Sequence, residues 1–366
     1  MLKNKNCIFF AISDNFAFAV ANVLMGLKKH SNKLLNNCDV IIFSNKELPP
    51  VDKALLGKLH KFIIFKRIDF PDIYKNILED KKTKKWGIYN IVKLFGFNLV
   101  KEYEKVLLLD ADLLINKDIS KLFDIEEEIA WRKVIGWNPQ QNFKSLLEYN
   151  NDYISACNGG VILFTNKLNK YNITDSDVVS AYDVIKNLKR GGLDENITAY
   201  LVYKNRIKLK ELDISFNCPA AWCTPDKNEN LRFIKVLNSK NILNCYDNLK
   251  ETAKIIHLVD SRGISTKPWR SLSAYLYFRD WAENYEAWIS MGGSGSISFT
   301  ENDYYDLFAF KQADEIKKMK NKLKQKDEEL EKLKNISRKY NIISNSKTWK
   351  ATKPIRKILD VIKKLK

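Results

Sequence analysis

The residues best equipped for chemistry stand at Leu107-Leu108-Leu109-Asp110-Ala111-Asp112. An apolar run ends in two carboxylates one residue apart, and Leu113-Leu114-Ile115 is apolar again behind them. Charge at the end of a dry strand is costly unless a cation neutralises it. The carboxyl end of a strand is also where open α/β sheets bind ligands. Hard oxygen donors so placed suit Mg²⁺ or Mn²⁺, with water and phosphate completing the shell. His257, one of three histidines, lies in the apolar run Ile255-Ile256-His257-Leu258. Alone it would read as a hydrogen-bonded core residue, but the acids upstream favour metal ligation, and imidazole beside carboxylates tilts the choice toward Mn²⁺.

The elements that must hold these groups are legible from hydrophobic period. Cys7–Ile12, Asp39–Phe43, Phe62–Ile68 and Val106–Leu109 read as strands, and Ala17–Lys29 as a helix. Ile88, Ile91, Val92, Phe95 and Leu99 have helical spacing and predict a helix over Trp86–Val100. Further strands are expected at Gly160–Phe164 and Lys254–Val259. Buried strands alternating with helices imply an α/β sheet covered on both faces. Near Met291–Phe299 the composition shifts to Gly and Ser with no GK[ST] behind it, which reads as a flexible boundary and not a phosphate loop. The expected organisation is an α/β domain over 1–290, a linker over 291–310, a charged helix over 311–340 and a basic segment over 341–366.

Composition narrows the function. With 45% hydrophobic and 29% charged residues in 366, the chain has a core, and wholesale disorder is excluded. No run approaches the roughly 18 apolar residues of a membrane span, and the apolar run near the N-terminus is too short for a signal peptide. A cytoplasmic protein is expected, with its six cysteines reduced. The net charge is +18, but ten Lys/Arg against one acid lie in Ser337–Lys366, and nine Lys against six acids in Lys311–Ile336. A modestly charged body with a basic tail points to an anionic surface, and the absence of aromatic-basic interleaving argues against nucleic acid. In the tail, Ile355, Ile358, Leu359, Ile362 and Leu365 form an apolar face opposite Arg356, Lys357, Lys363 and Lys364. This predicts an amphipathic helix started by Pro354 that lies on a membrane, with Trp349 as an interfacial anchor. Ile316, Leu323 and Leu330 recur every seven residues, with Met319 and Leu333 between them and Lys326 interrupting. That pattern fits either a coiled-coil homodimer or a solvated charged helix.

KVLLLDADLLINKDISKLF (Lys105–Phe123) resembles the central signature of glycosyltransferase family 8, whose members are retaining enzymes of GT-A fold using UDP-sugars. Other matches follow in the family's order. Ala11-Ile12-Ser13-Asp14-Asn15-Phe16 stands where the family binds uridine, and Lys93 where it carries a basic residue facing the donor. Asn158-Gly159-Gly160-Val161 resembles the donor-sugar motif, Asp194-Glu195 the family's Asp-Gln, and His257 with Lys267-Pro268-Trp269 the third metal ligand and closing motif. The resemblance implies a GT-A domain followed by a helical tail. It also implies a metal site of Asp110, Asp112 and His257, and a substrate site of Ala11, Ser13, Asn15, Lys93, Asp110, Ala111, Asp112, Asn158, Gly159, Asp194, Glu195, Gly263 and Lys267. Asp194 and Glu195 are the implied catalytic residues, Glu195 as nucleophile or, preferably, electrostatic stabiliser. Trp269 is expected to help shut the site. Two departures stand out: Glu195 replaces the usual glutamine, and Asp260, Ser261 and Arg262 lengthen the path from His257 to Lys267.

The expected function is transfer of a hexose, glucose or galactose foremost, from UDP to a glycan or glycolipid acceptor at the cytoplasmic face of a bacterial inner membrane. SKTWKATKPIRK (Ser346–Lys357) also resembles tails found on bacterial glycosyltransferases. The alternatives are a non-catalytic membrane-associated UDP-sugar-binding or scaffold protein and a sugar nucleotidyltransferase. The last is disfavoured because Ser13-Asp14-Asn15 is not a glycine-rich basic loop.

Overall fold

The computed structural model describes residues 4–134, 157–188, 191–220, 222–225, 231–233, 249–259, 265–295, 297, 299 and 301–364. Within these, the chain divides into two compact units, Met1–Leu307 and Phe308–Lys366. Gly263 and the inserted Asp260, Ser261 and Arg262 lie outside the described residues.

The early apolar runs become strands β1 (Asn6–Ile12), β2 (Cys38–Ser44), β3 (Ile63–Arg67) and β4 (Lys105–Leu109). β1 lies between β2 and β4, all parallel, with β3 parallel outside β2. Beyond β4 the sheet continues through β7 (Cys157–Thr165), β6 (Ile129–Lys133) and β8 (Leu209–Glu211), giving the order β3-β2-β1-β4-β7-β6-β8. β7 runs antiparallel to both β4 and β6. Cys7 to Phe10 and Val106 to Leu109 have no exposed surface. Cys7 and Phe9 join a core with Ile91, Val92, Ile197 and Leu201, while alternate strand residues take the opposite face. The helix Ala17–His30 is fixed from behind by Asn22, whose amide donates to the Trp281 carbonyl at 2.7 Å.

A second, three-stranded sheet decides the site. β5 (Leu113–Ile115) follows the two aspartates at once and pairs antiparallel with β12 (Ile255–His257), His257 opposite Leu113. β12 in turn runs parallel to β9 (Cys218–Pro219). β10 (Trp222–Pro225) and β11 (Leu231–Phe233) form a separate antiparallel pair. Cys7, Cys38, Cys157 and Cys218 are buried free thiols.

The single helix expected over Trp86–Val100 is broken. A helix at Lys81–Trp86 ends at Gly87, whose φ of +90° a side chain would strain; helix resumes at Tyr89–Val92, tightens to a 3₁₀ turn at Lys93–Phe95 and closes at Gly96–Leu99. The Gly/Ser stretch also differs from a free linker at its start. Gly292 takes φ +93° and the N–H of Gly293 returns to the Trp288 carbonyl at 3.1 Å, terminating helix Arg279–Ser290, while Ser294 donates its N–H to buried Asp52 at 2.8 Å.

The second unit is helical. One helix runs Glu301–Asn345, beginning inside the stretch read as linker, and two more follow at Lys347–Ala351 and Lys353–Lys364. Pro354 falls in the first turn of the last one. Arg356 lies 3.3 Å over the Trp349 ring, so the indole is stacked on a cation. No helix among the described residues is long and apolar enough to cross a membrane.

Candidate active site

Strand β4 delivers Asp110 to the edge of the sheet, where its N–H donates to the Gly160 carbonyl of β7 at 2.9 Å. Two residues on, the Asp112 carbonyl accepts from the Leu258 N–H at 2.9 Å. The first aspartate is thus tied to the large sheet and the second to the small one. Because β5 and β12 pair, the His257 Nε2 falls 3.3 Å from Asp112 and 3.9 Å from Asp110. One ligand atom from each of the three lies within 4.8 Å of the others.

The imidazole is oriented from behind. Its Nδ1 is 2.9 Å from Asn217 Oδ1, and the Asn217 amide donates to Asn158 Oδ1 at 2.7 Å. That chain puts the Nδ1 proton toward Asn217 and turns Nε2 to the carboxylates, the arrangement by which metal-binding histidines are usually held. Two carboxylates and a pre-oriented imidazole fit a divalent cation of the Mn²⁺ or Mg²⁺ kind. Asn217 was not singled out in the sequence.

Cations already meet the acids. The Lys93 ammonium, on the 3₁₀ turn, lies 2.8 Å from either oxygen of Asp110, 3.2 Å from the Gly159 carbonyl and 3.7 Å from Asp194. Burial would lower its pKa, but the charges of Asp110 and Asp194 override that and hold it above the ordinary lysine value. Lys267 Nζ donates to Asp112 at 2.7 Å. Burial alone would raise the Asp112 pKa; His257 and Lys267 override it and hold the carboxyl well below the usual range. Asp194, 4% exposed, goes the other way. Burial first, then the charges of Glu195 and Asp110, push it up to about 7 against the pull of Lys93.

The glycines of the Asn158-Gly159-Gly160 motif are there because nothing larger fits. A Cβ on Gly160 would lie 2.3 Å from the His257 ring, and one on Gly159 2.8 Å from an Asp194 oxygen. Glu195 is engaged at both ends: Oε1 accepts from the Gly159 N–H and Oε2 from the Gly192 N–H, each at 3.1 Å. It therefore caps helix Leu193–Lys204 and also lines the cleft.

These groups open into a cleft of about 600 Å³ lined by Lys93, Asp110, Asp112, Asp194, Glu195 and Lys267. Lys85, Trp86, Asn90, Gly192, Val259 and Arg270 complete its walls, and none of these six was singled out from sequence. Trp86 is 60% exposed there, an outlying aromatic that marks the rim. His257, Asn158 and Gly159 sit immediately behind the lining. Ala11 is the last residue but one of β1, and Ser13 and Asn15 follow its carboxyl end; carrying the β1–β4 register on by two residues sets Ala11 level with Asp110. Ala111 is half-buried between the aspartates. Asp14 and Asn15 do not cap the helix that follows, which has no side-chain cap. Trp269 is 6% exposed, edge-on to Phe16 and Phe18, with the Lys267 ammonium 5.5 Å from its ring centre.

Known proteins of the same shape transfer sugars. The chain aligns with the bifunctional glycosyltransferase WbbM in its apo form (TM-score 0.56, 18% identity, 80% of this chain). It spans about half of WbbM, 52% of that chain. It also aligns with the galactosyltransferase LgtC solved with donor and acceptor sugar analogs (TM-score 0.56, 16% identity, 78% of this chain and 99% of that one), and equally with an LgtC active-site mutant in which glutamine is replaced by glutamate. At these identities the likeness establishes the fold, GT-A. No curated protein matches the sequence. The profile of glycosyl transferase family 8 matches residues 7–273, which takes in the strands of all three sheets and every described group of the cleft. The chain therefore belongs to glycosyl transferase family 8.

Proposed function

We propose that this glycosyltransferase moves a hexose, glucose or galactose, from its UDP-sugar to a glycan or glycolipid acceptor of a bacterial surface, such as lipopolysaccharide, lipooligosaccharide or capsule, with retention at the anomeric carbon. The observation that carries the reading is the juxtaposition in one cleft of Asp110, Asp112 and His257 with two ammonium groups and the Asp194-Glu195 pair.

Asp110, Asp112 and His257 would hold Mn²⁺, with Mg²⁺ as the second choice. Such an ion supplies the positive charge that a departing diphosphate requires. Lys93 and Lys267 add fixed positive charge beside it, worth most where water is excluded. Ala11, Ser13 and Asn15 receive the uridine, with Ala111 and Gly159 backing the donor; Gly263 is assigned with them by resemblance. Asn158, Asp194 and Glu195 bind the hexose hydroxyls, and buried polar partners of this kind reject the wrong epimer strongly. Retention follows from front-face attack, the acceptor hydroxyl entering on the side of the leaving phosphate and giving its proton to a phosphate oxygen. Both oxygens of Glu195 accept backbone N–H groups, which supports a stabiliser over a covalent nucleophile. The LgtC mutant carries glutamate for an active-site glutamine, the substitution that the resemblance places at Glu195 here. Trp86, with the Lys85 ammonium 5.0 Å from its ring centre, offers a flat face to an acceptor sugar.

The segment 341–366 would hold the enzyme at the cytoplasmic face of the inner membrane. Ile355 and Ile358 are exposed on a helix carrying Arg356, Lys357 and Lys363, the composition that lies on anionic lipid.

The test is an NMR assay of the full chain with a panel of UDP-hexoses and Mn²⁺, without acceptor. Slow hydrolysis of one UDP-hexose, absent in Asp110→Asn and on chelation, is the expected result. Failure of UDP to bind in the presence of the metal would overturn the catalytic reading and leave a scaffold.

A further inference from the structure

The helix Glu301–Asn345 carries a stripe that nothing among the described residues of its own unit covers. Ile316, Met319, Leu323, Leu330 and Leu333 are each 50–62% exposed, with Lys326 filling the one polar slot. Past Leu333 the stripe continues through Ile336, Tyr340 and Ile343, also at least half exposed. From Ile316 to Ile343 the steps are 3, 4, 3, 4, 3, 3, 4 and 3 residues. Their mean is shorter than the 3.6 of a straight helix, and a seam of that period closes when two helices wrap left-handed about each other.

The flanking charges identify the occupant. In a parallel, in-register pair, the residues just before Ile316, Leu323 and Leu330 each meet the one five places further along the other helix. Here those pairs are Glu315 with Lys320, Lys322 with Asp327, and Glu329 with Lys334, opposite in sign every time and all exposed. By symmetry the three become six contacts. An antiparallel pairing that keeps the seam between Ile316 and Leu333 leaves Glu315 and Lys334 without opposite charges and takes Ile336, Tyr340 and Ile343 off the seam. Acids on both flanks also disfavour a lipid surface as the occupant. We infer that this stripe binds a second copy of the chain as a parallel, in-register coiled coil, with Lys326 as its weak layer.

The experiment is sedimentation equilibrium of the full chain at low salt over a wide concentration range. A concentration-dependent dimer is expected. Glu315→Lys sets two like-charged pairs against each other and should weaken association about tenfold. Adding Lys320→Glu in the same chain should restore it, because both pairs are again complementary. Lys326→Leu should tighten the dimer by about tenfold or more. UDP-sugar hydrolysis serves as a folding control, since Glu315 and Lys320 are outside the cleft. A dimer indifferent to Glu315→Lys would overturn the parallel pairing. A chain that stays monomeric even as Lys326→Leu would overturn the inference altogether and leave the stripe to a different protein.

Discussion

Acids and lysines are interleaved in two places, the cleft at the end of β4 and the helix Glu301–Asn345, and the same chemistry has opposite weight in each. In the cleft, Lys93 is 11% exposed and meets two carboxylates; on the helix, Lys334 lies 3.6 Å from Glu331 with both side chains more than half exposed. Water screens the second pair to a few tenths of a kcal/mol. Burial removes that screening from the first, so its members depend on one another, and taking one away leaves the rest as uncompensated charge.

The largest effect is therefore expected from Lys93→Met. It should lower UDP-sugar hydrolysis by about 10³-fold, as loss of a transition-state charge does. It should also cost about 3 kcal/mol in calorimetry, because Asp110 and Asp194 lose their shared cation. Next is Gly160→Ala: its Cβ would meet the His257 ring at 2.3 Å, and metal affinity measured by titration should fall by about 10–100-fold with the far-ultraviolet CD unchanged. Asn217→Ala frees the same ring from behind and should fall at the lower end of that range.

The pH dependence sharpens the contrast further. Asp194 is pushed up to about 7 from an ordinary value of 3.8, so the folded protein holds its proton more tightly than the unfolded chain. Its contribution to stability is full below pH 3.8 and is lost as pH rises through about 7. The stability of the native chain relative to Asp194→Asn should then decline between pH 5 and 7 by at most about 1.4 kcal/mol per unit, read as paired melting curves. Asp112, held below its ordinary value, has the opposite sign: its contribution is present above pH 3.8 and is lost on acidification. The smallest effect is expected outside the cleft. At concentrations where the chain is monomeric, Lys334→Ala should change stability by less than about 0.5 kcal/mol, and 0.5 M salt should erase the difference.

What could be read in the sequence follows the same division. The strand before Asp110, the histidine on β12 and the order of the motifs are local or linear signals, and the structure brings Lys93, Asp110, Asp112, Asp194, Glu195, His257 and Lys267 together. Asn217 is invisible in the sequence because its credentials are neighbours 40 and 59 residues away, His257 being supplied when β9 aligns with β12. A polar residue ahead of a short strand gives no hint of this. The break at Gly87 is hard to read because the apolar spacing that predicts the helix, Ile88 to Leu99, lies wholly beyond it, although the glycine itself is a signal. The aromatic cluster that holds Trp269 is hidden for the converse reason: Phe16 lies far from Trp269 and Trp281 in sequence, and the cluster forms only in the folded chain.

The closeness of Gly160 to His257 has a consequence for inheritance. The two positions are 97 residues apart in the gene, yet any side chain arriving at 160 occupies the space of the ring at 257. A descendant cannot drift at the first while keeping the second in place. A homologue with alanine or serine at the position of Gly160 should accordingly have lost or moved its histidine, so that a single small residue reports whether a lineage still keeps this metal site.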